Sequence, residues 1–337
     1  MKAGKIPGET LRNLLSNLTI ISDSGVELGP AIGEDTAVIN IKGQTVLIGS
    51  DPITFPTENP GWHSVIINSN DVAASGGVPK WYSATILMPE HSTEQEFSSI
   101  FKDIAETCSH MNIQLIGGHS EVTPAVQYPV VSGSMIGIAD NLHVKPTHNA
   151  KEFDDILITK HCPIEGIKLL LSYFPNLSQF EGLSPSDIEF LKRLSIANNM
   201  DILPEATLLK TYKEVNSMHD PTEGGIATGL AEVTSASNVG ALIYESELPI
   251  PAAFRKICSQ IEIDPLGLIA SGSLLFTTSA GISGEIIGEL KSLSIQCSNI
   301  GQIMPREHGS MLIESYSNQK VPLPTFDIDE ITKITQL

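Results

Sequence analysis

From Trp62 to Pro79 the chain carries two stripes at helical spacing, and any fold has to seat both. Trp62, Val65, Ile66, Ser69, Val72, Ala73 and Gly76 recur at three- and four-residue steps and make one apolar or small face. Asn68, Asp71 and Ser75 recur at the same steps and make a polar one. Gly76, Gly77 and Pro79 then end the helix. A solvated helix face usually carries Lys, Glu and Arg. This one carries one short acid among small amides and hydroxyls. Short side chains on a closely packed helix suit a carboxylate that meets a metal or phosphate near the backbone. An ordinary exposed acid at position 71 is the alternative.

Two more acids stand at strand ends. Ala37–Ile41 and Thr45–Gly49 read as a β-hairpin around Lys42, Gly43 and Gln44. Asp35 lies just before the first strand and Asp51 just after the second. In an antiparallel hairpin those two ends are neighbours, so both carboxylates are expected at one edge. Hard oxygen donors so placed suit Mg²⁺, which binds through a few carboxylates plus phosphate oxygens. A turn role for Asp35 and a turn-fixing role for Asp51 before Pro52 are the alternatives.

The pattern continues with a strand over Trp81–Met88, and Ser92 to Gln95 has the spacing of a capping box for a helix running to about Met111. A buried strand over Ile113–Ile116 is expected to end in a loop, Gly117-Gly118-His119-Ser120-Glu121, followed by a strand over Val130–Ala139. His119 could bind a ligand or act as an acid–base group; a hydrogen-bonded structural histidine is the competing reading. The order β-β-α-β-α-β-β implies an α+β half with a mostly antiparallel sheet.

Charged and Pro-containing residues over Asp140–Lys151 place a boundary there, giving domains 1–145 and 146–337. The second half alternates helical and strand patterns. Within it, His219-Asp220-Pro221-Thr222-Glu223-Gly224-Gly225 stands out. Thr222 is a plausible N-cap. Gly224 and Gly225 weaken a first helical turn but offer bare N–H groups to an anion at the positive helix end. Tight packing against a neighbour is the alternative. Lys2 and Lys5 could fold over phosphates, or belong to a disordered tail.

Bulk properties narrow the partners. The net charge is −19, from 39 acids against 20 bases, which argues against nucleic acid or an anionic membrane. A phosphate ligand stays compatible, because helix N-termini and a bound cation can hold it. No apolar run reaches the length of a membrane span, and the N-terminus shows no signal-peptide core. Cys108, Cys162, Cys258 and Cys297 form no CxxC and read as reduced thiols of a cytoplasmic protein. Neither a P-loop nor a dinucleotide-binding glycine motif is present.

Five stretches in order resemble the PurM-like ATP-binding superfamily, which holds aminoimidazole ribonucleotide synthetase, thiamine-monophosphate kinase, selenophosphate synthetase and the HypE hydrogenase maturation factors. They are Gly33-Glu34-Asp35-x-Ala37-Val38, Ser50-Asp51-Pro52, Asn70 to Pro79, Gly117-Gly118-His119-Ser120 and Asp220-Pro221-Thr222-x-Gly224-Gly225. The last looks most like HypE.

The resemblance implies a two-domain α+β fold whose N-terminal sheet pairs with a second copy into a homodimeric barrel. It implies Mg-ATP in a groove between domains, with Asp35, Asp51 and Asp71 as metal or phosphate acids. Gly33, Asn70, Gly117, Gly118, Thr222, Gly224 and Gly225 match nucleotide-site positions, and His119 and Asp220 are the catalytic candidates. The implied activity is phosphoryl transfer from ATP to a small-molecule oxygen acceptor. A nucleotide-binding scaffold for a maturation partner protein is the alternative. Three departures limit it. HypE proper ends in a cysteine-bearing tail, whereas this chain ends Ile334-Thr335-Gln336-Leu337 with Cys297 as its last cysteine. No cysteine precedes Cys108, unlike selenophosphate synthetase. His119 stands where thiamine-monophosphate kinase usually shows Asp.

Overall fold

The computed structural model describes residues 4–6, 8–17, 21, 23–55, 57–196, 199–326 and 328–334. Lys2, residues 18–20, and Thr335, Gln336 and Leu337 lie outside the described residues. The chain divides into two compact units. The first comprises Ile21–Gly29 and Asp35–Val144; the second comprises Met1–Ile20, Pro30–Glu34 and Lys145–Leu337. Helix α1 (Gly8–Asn17) therefore belongs with the second unit rather than with the residues that follow it in sequence.

The first unit is a seven-stranded sheet with two helices. Its strands are β1 (Val26–Leu28), β2 (Ala37–Ile41), β3 (Gln44–Gly49), β4 (Pro52–Ile53), β5 (Val78–Met88), β6 (Gln114–Val122) and β7 (Val130–Ala139). Their order is β1-β2-β3-β7-β5-β6, with β4 also on β7. Every pairing is antiparallel except β5 with β6. The β2–β3 turn holds only Lys42 and Gly43, both at positive φ, because Gln44 pairs with Ile41. Two residues at positive φ match the twist of the flanking strands.

Helix α2 (Pro60–Ala74) starts at a proline, where the missing N–H costs nothing, and is buried along almost its whole length. Helix α3 (Glu94–His110) opens with a capping box one residue later than the spacing suggested: Thr93 Oγ1 accepts from the Glu96 N–H, and Glu96 accepts from the Thr93 N–H at 2.7 Å. Val38, Leu47, Val65, Val72, Tyr82, Ile86, Ile104 and Met135 pack the core between sheet and helices.

The second unit holds another seven-stranded sheet, made of β8 (Asp155–Thr159), β9 (Val215–His219), β10 (Gly240–Tyr244), β11 (Leu275–Thr278), β12 (Cys297–Met304), β13 (Ser310–Ile313) and β14 (Lys320–Pro322). Their order is β14-β13-β10-β12-β8-β11-β9, with only β10–β13 parallel. Around it stand α4 (Ile164–Tyr173), α5 (Pro185–Leu194), α6 (Leu203–Leu209), α7 (Gly225–Ser237), α8 (Ala252–Gln260), α9 (Ser283–Ser292) and α10 (Ile331–Ile334). The architecture is the α+β arrangement expected, with each sheet mostly antiparallel. No helix among the described residues is long and apolar enough to cross a membrane.

Candidate functional site

In the first unit, the polar stripe of α2 is aimed at the ends of the β2–β3 hairpin. Ala37 pairs with Ile48, so the same register carried outward sets Asp35 opposite Ser50, next to Asp51. Each stripe residue meets this edge. Asn68, fully buried, accepts from the Asp51 N–H at 2.9 Å and donates to the Asp51 carbonyl at 3.1 Å. Asp71 lies on Gly49, where a Cβ would come within 3.2 Å of Asp71 Oδ2 and 3.4 Å of the Asp35 carbonyl. The Thr36 hydroxyl donates to Ser75 Oγ at 2.8 Å. Asp71 is 5 % exposed, Asn70 beside it is fully buried, and Asp35 Oδ2 is buried. The structure thus brings the chain at Asp35, Asp51 and Asp71 to one strand end.

Among the described residues no three His, Cys, Asp or Glu side chains form a cage that could hold a metal by themselves. A few carboxylates completed by ligand oxygens is the way Mg²⁺ is usually held.

The structure does not bring His119 to this edge. Gly117-Gly118-His119-Ser120-Glu121 was expected as a loop and is instead the body of edge strand β6. Ser83 pairs with Gly117 and Thr85 with His119, with Ile116 skipped as a bulge. Gly118 passes so close to β5 that a Cβ would overlap the Ala84 carbonyl. Gly118 therefore serves strand packing, whereas a Cβ at Gly117 would meet nothing within 4 Å. The His119 side chain is 63 % exposed and its Nε2 lies 3.1 Å from Glu121 Oε2. Sheet order puts β6 three strands from β3, about 14 Å away at roughly 4.8 Å per strand.

In the second unit, the stretch after β9 leads into α7. The helix is capped by Gly224 at φ 79°, not by Thr222. The Thr222 carbonyl instead accepts from the Gly225 N–H at 3.0 Å and the Ala270 N–H at 3.2 Å. The Gly224 N–H donates to Asp329 Oδ2 at 2.8 Å. Both glycine N–H groups are thus engaged within the chain. Asp220 is 2 % exposed with both carboxylate oxygens buried.

Glu232 escaped the sequence reading, although it is the only charged residue in α7 and that isolation was a signal. His219 Nε2 lies 3.0 Å from Glu232 Oε2, and Lys5 Nζ 3.4 Å from Oε1. Burial raises the Glu232 carboxyl, but the His219 hydrogen bond and the Lys5 charge outweigh it and hold it at about 2. A Cβ at Gly33 would stand 3.2 Å from Glu232 Cβ. One carboxylate therefore ties the residue before Asp220, the N-terminal Lys5 and the turn at Gly33. Beside it, Glu34 accepts from the Thr147 and His148 N–H groups, both at 3.1 Å.

Two further carboxyls near the glycine turn are shifted. Glu165, in the first turn of α4, is raised to about 7 by burial, with Asp329 and Glu223 adding repulsion. Asp329 is raised to about 6, again mainly by burial, against the pull of backbone N–H groups at Ile331, Gly224 and Ile269.

Comparison with known proteins agrees with this fold. Residues 33–139 match the AIR synthase related protein N-terminal domain, and 192–314 match the C-terminal domain of the same family. A Methanocaldococcus jannaschii protein named for hydrogenase expression and formation is 27 % identical over 326 residues, spanning 94 % of this chain and 93 % of that one. The carbamoyl dehydratase HypE of Escherichia coli is 24 % identical over 262 residues, 76 % of this chain and 74 % of that one. A solved structure of hydrogenase maturation protein HypE in complex with ATP superposes with TM-score 0.72 at 19 % identity, over 97 % of each chain. The two family domains follow one another in the expected order over well over half of the chain, which belongs to the AIR synthase related family.

Proposed function

We propose that this chain is an ATP-dependent enzyme that activates a small oxygen acceptor by phosphoryl transfer. The observation that carries the reading is the convergence of Asp35, Asp51 and Asp71 on one strand end, with Asn68 clamping the Asp51 backbone. Two relatives support it: the HypE whose structure holds ATP, and the E. coli protein named a carbamoyl dehydratase. The second name points to a carbamoyl-type oxygen as the acceptor class.

Short all-oxygen donors fit Mg²⁺ rather than a soft metal, and Asp35, Asp51 and Asp71 would hold it together with phosphate oxygens. That ion would supply charge neutralisation for the phosphates, which a chain of net charge −19 otherwise repels. The chain's own contribution is placement. Aspartates have few rotatable bonds, and their backbones are fixed by α2, so little side-chain entropy is lost on binding. Within the second unit, Asp220, which follows the His219 paired with Glu232, stays the catalytic candidate that the family resemblance implies.

Calorimetric titration of Mg-ATP into wild type, Asp51→Asn and Asp71→Asn tests the reading. Each amide keeps the shape and removes the charge. Each variant is expected to bind at least about tenfold more weakly, roughly 1.4 kcal/mol, with its melting temperature retained. Equal binding by all three proteins would remove the acids from the site.

A further inference from the structure

Helix α1 and the residues before it are tied to α7 at two points. Lys5 Nζ lies 3.4 Å from Glu232 Oε1, and Arg12 Nη2 donates to Ser235 Oγ at 3.0 Å. Glu232 and Ser235 are three residues apart on α7 and so share a face. A cavity of about 290 Å³ opens among α1, the Pro30–Glu34 segment and α7, all within the second unit.

Its lining is divided by chemistry. Leu15, Ile32 and Ala236 are apolar and half-buried; Arg12, Ser16 and Ser235 are polar and exposed. Among the described residues that line it, Arg12 carries the only charge. Glu232, one turn before Ala236, adds little repulsion, because His219 and Lys5 pair with it. The contrast is with the larger cleft of about 480 Å³ beside α8, where Arg255 and Lys333 meet Glu262, Asp264 and Glu330. There Arg255 is paired with Glu245 and Lys333 with Glu330, and the acids outnumber the bases. In a chain of net charge −19, a cavity with a cation and no acid on its described walls is suited to an anion.

Size and donor geometry narrow that anion. A dry cavity of about 150 Å³ takes a benzene ring, so about 290 Å³ holds one ring, or a branched chain of similar bulk, together with an acidic group. A guanidinium fork matches the two oxygens of a carboxylate with parallel bonds. Ser235 Oγ accepts from Arg12, so its own O–H can serve a second acceptor. A phosphate ester would bring about two negative charges to a single guanidinium on a chain that already repels anions, which favours the monoanion.

We propose that this cavity binds a small amphipathic carboxylate, with its ring or branched chain against Leu15, Ile32 and Ala236 and its carboxylate on Arg12 and Ser235. The bound ligand adds a third tie between α1 and α7. The site does not depend on nucleotide binding and stands or falls separately from the proposed function.

Titration of the intact chain with phenylacetate tests it, followed by the methyl NMR signals of Leu15, Ile32 and Ala236. Phenylacetate is expected to shift these signals saturably. Acetate lacks the ring and benzyl alcohol lacks the charge, and each is expected to bind at least about fivefold more weakly; phenyl phosphate should also bind more weakly. Arg12→Gln is expected to weaken phenylacetate about tenfold or more and to leave benzyl alcohol unchanged. Arg12 is exposed, so its replacement leaves the fold intact. Ala236→Leu fills the apolar floor and is expected to weaken both ligands. Three results would overturn the proposal: no saturable shift of these methyls by phenylacetate, equal affinity in wild type and Arg12→Gln, or tighter binding of phenyl phosphate than of phenylacetate.

Discussion

Replacing Gly225 by alanine is expected to unfold the second unit or bring it close to unfolding. The residue sits at φ +68°, where a side chain is strained in any surroundings. An added Cβ would stand 2.4 Å from the Leu266 carbonyl, 2.6 Å from the Leu268 carbonyl and 2.9 Å from the Leu268 nitrogen. All three are backbone atoms of one loop, so no rotamer change relieves the overlap. Positive φ costs about 1 kcal/mol and the forced backbone shift about 1–3 kcal/mol or more. A loss of roughly 2–4 kcal/mol or more is a large share of a typical stability of about 5–15 kcal/mol. Gly288, within α9, has nothing within 4 Å of its Cβ position. Gly288→Ala is expected to gain about 0.5–1 kcal/mol by helix propensity alone. Denaturant unfolding of both variants decides the matter. A Gly225→Ala protein as stable as wild type would show that the close packing at this turn is absent.

Asn68→Ala is expected to damage the first unit and nucleotide binding together. Asn68 is fully buried and makes three hydrogen bonds, to the Asp51 N–H, the Asp51 carbonyl and the Ser64 carbonyl. Alanine removes the side-chain partner of the part-buried Asp51 N–H, leaves the Asp51 carbonyl with the Gly133 N–H at 3.0 Å, and opens a cavity against Gly133. Unmade buried bonds cost about 1–3 kcal/mol and the cavity adds to that, so a loss of about 3–4 kcal/mol is expected. Because the same bonds hold Asp51 beside Asp35, Mg-ATP affinity should fall even at temperatures where the variant stays folded. Ser75→Ala removes the bond from the Thr36 hydroxyl and the one its own hydroxyl donates to the Asp71 carbonyl at 3.0 Å, and should cost about 1–2 kcal/mol. Unfolding midpoints together with calorimetry separate the two. An Asn68→Ala protein that binds Mg-ATP as wild type does would break the link between the clamp and the site.

Much of the first site was legible because its causes are local. Asn68, Asp71 and Ser75 share a face through helical periodicity, and Asp35 and Asp51 share an edge through hairpin pairing. Both rules act over a few residues. The capping box was found at the correct turn but one residue early, since Ser92 and Thr93 both offer a hydroxyl at that place. Gly117 to Glu121 failed for a different reason. A glycine-rich stretch after a strand has the composition of a loop, and only the pairing with Ser83 to Leu87 keeps it extended.

Local rules were enough to read the alternation of elements, the polar face of α2, the lack of a long apolar run and the acids at strand ends. These follow from side-chain period and turn chemistry, which a chain carries wherever it folds. Tertiary structure alone decided who occupies the Gly224 N–H, because Asp329 comes from 105 residues away. It likewise decided that Glu232 joins His219 to Lys5 across the second unit. Neither contact leaves a trace in local spacing. Closing so long a loop costs only slightly more entropy than closing a short one, so distant partners are thermodynamically as accessible as near ones and far less predictable.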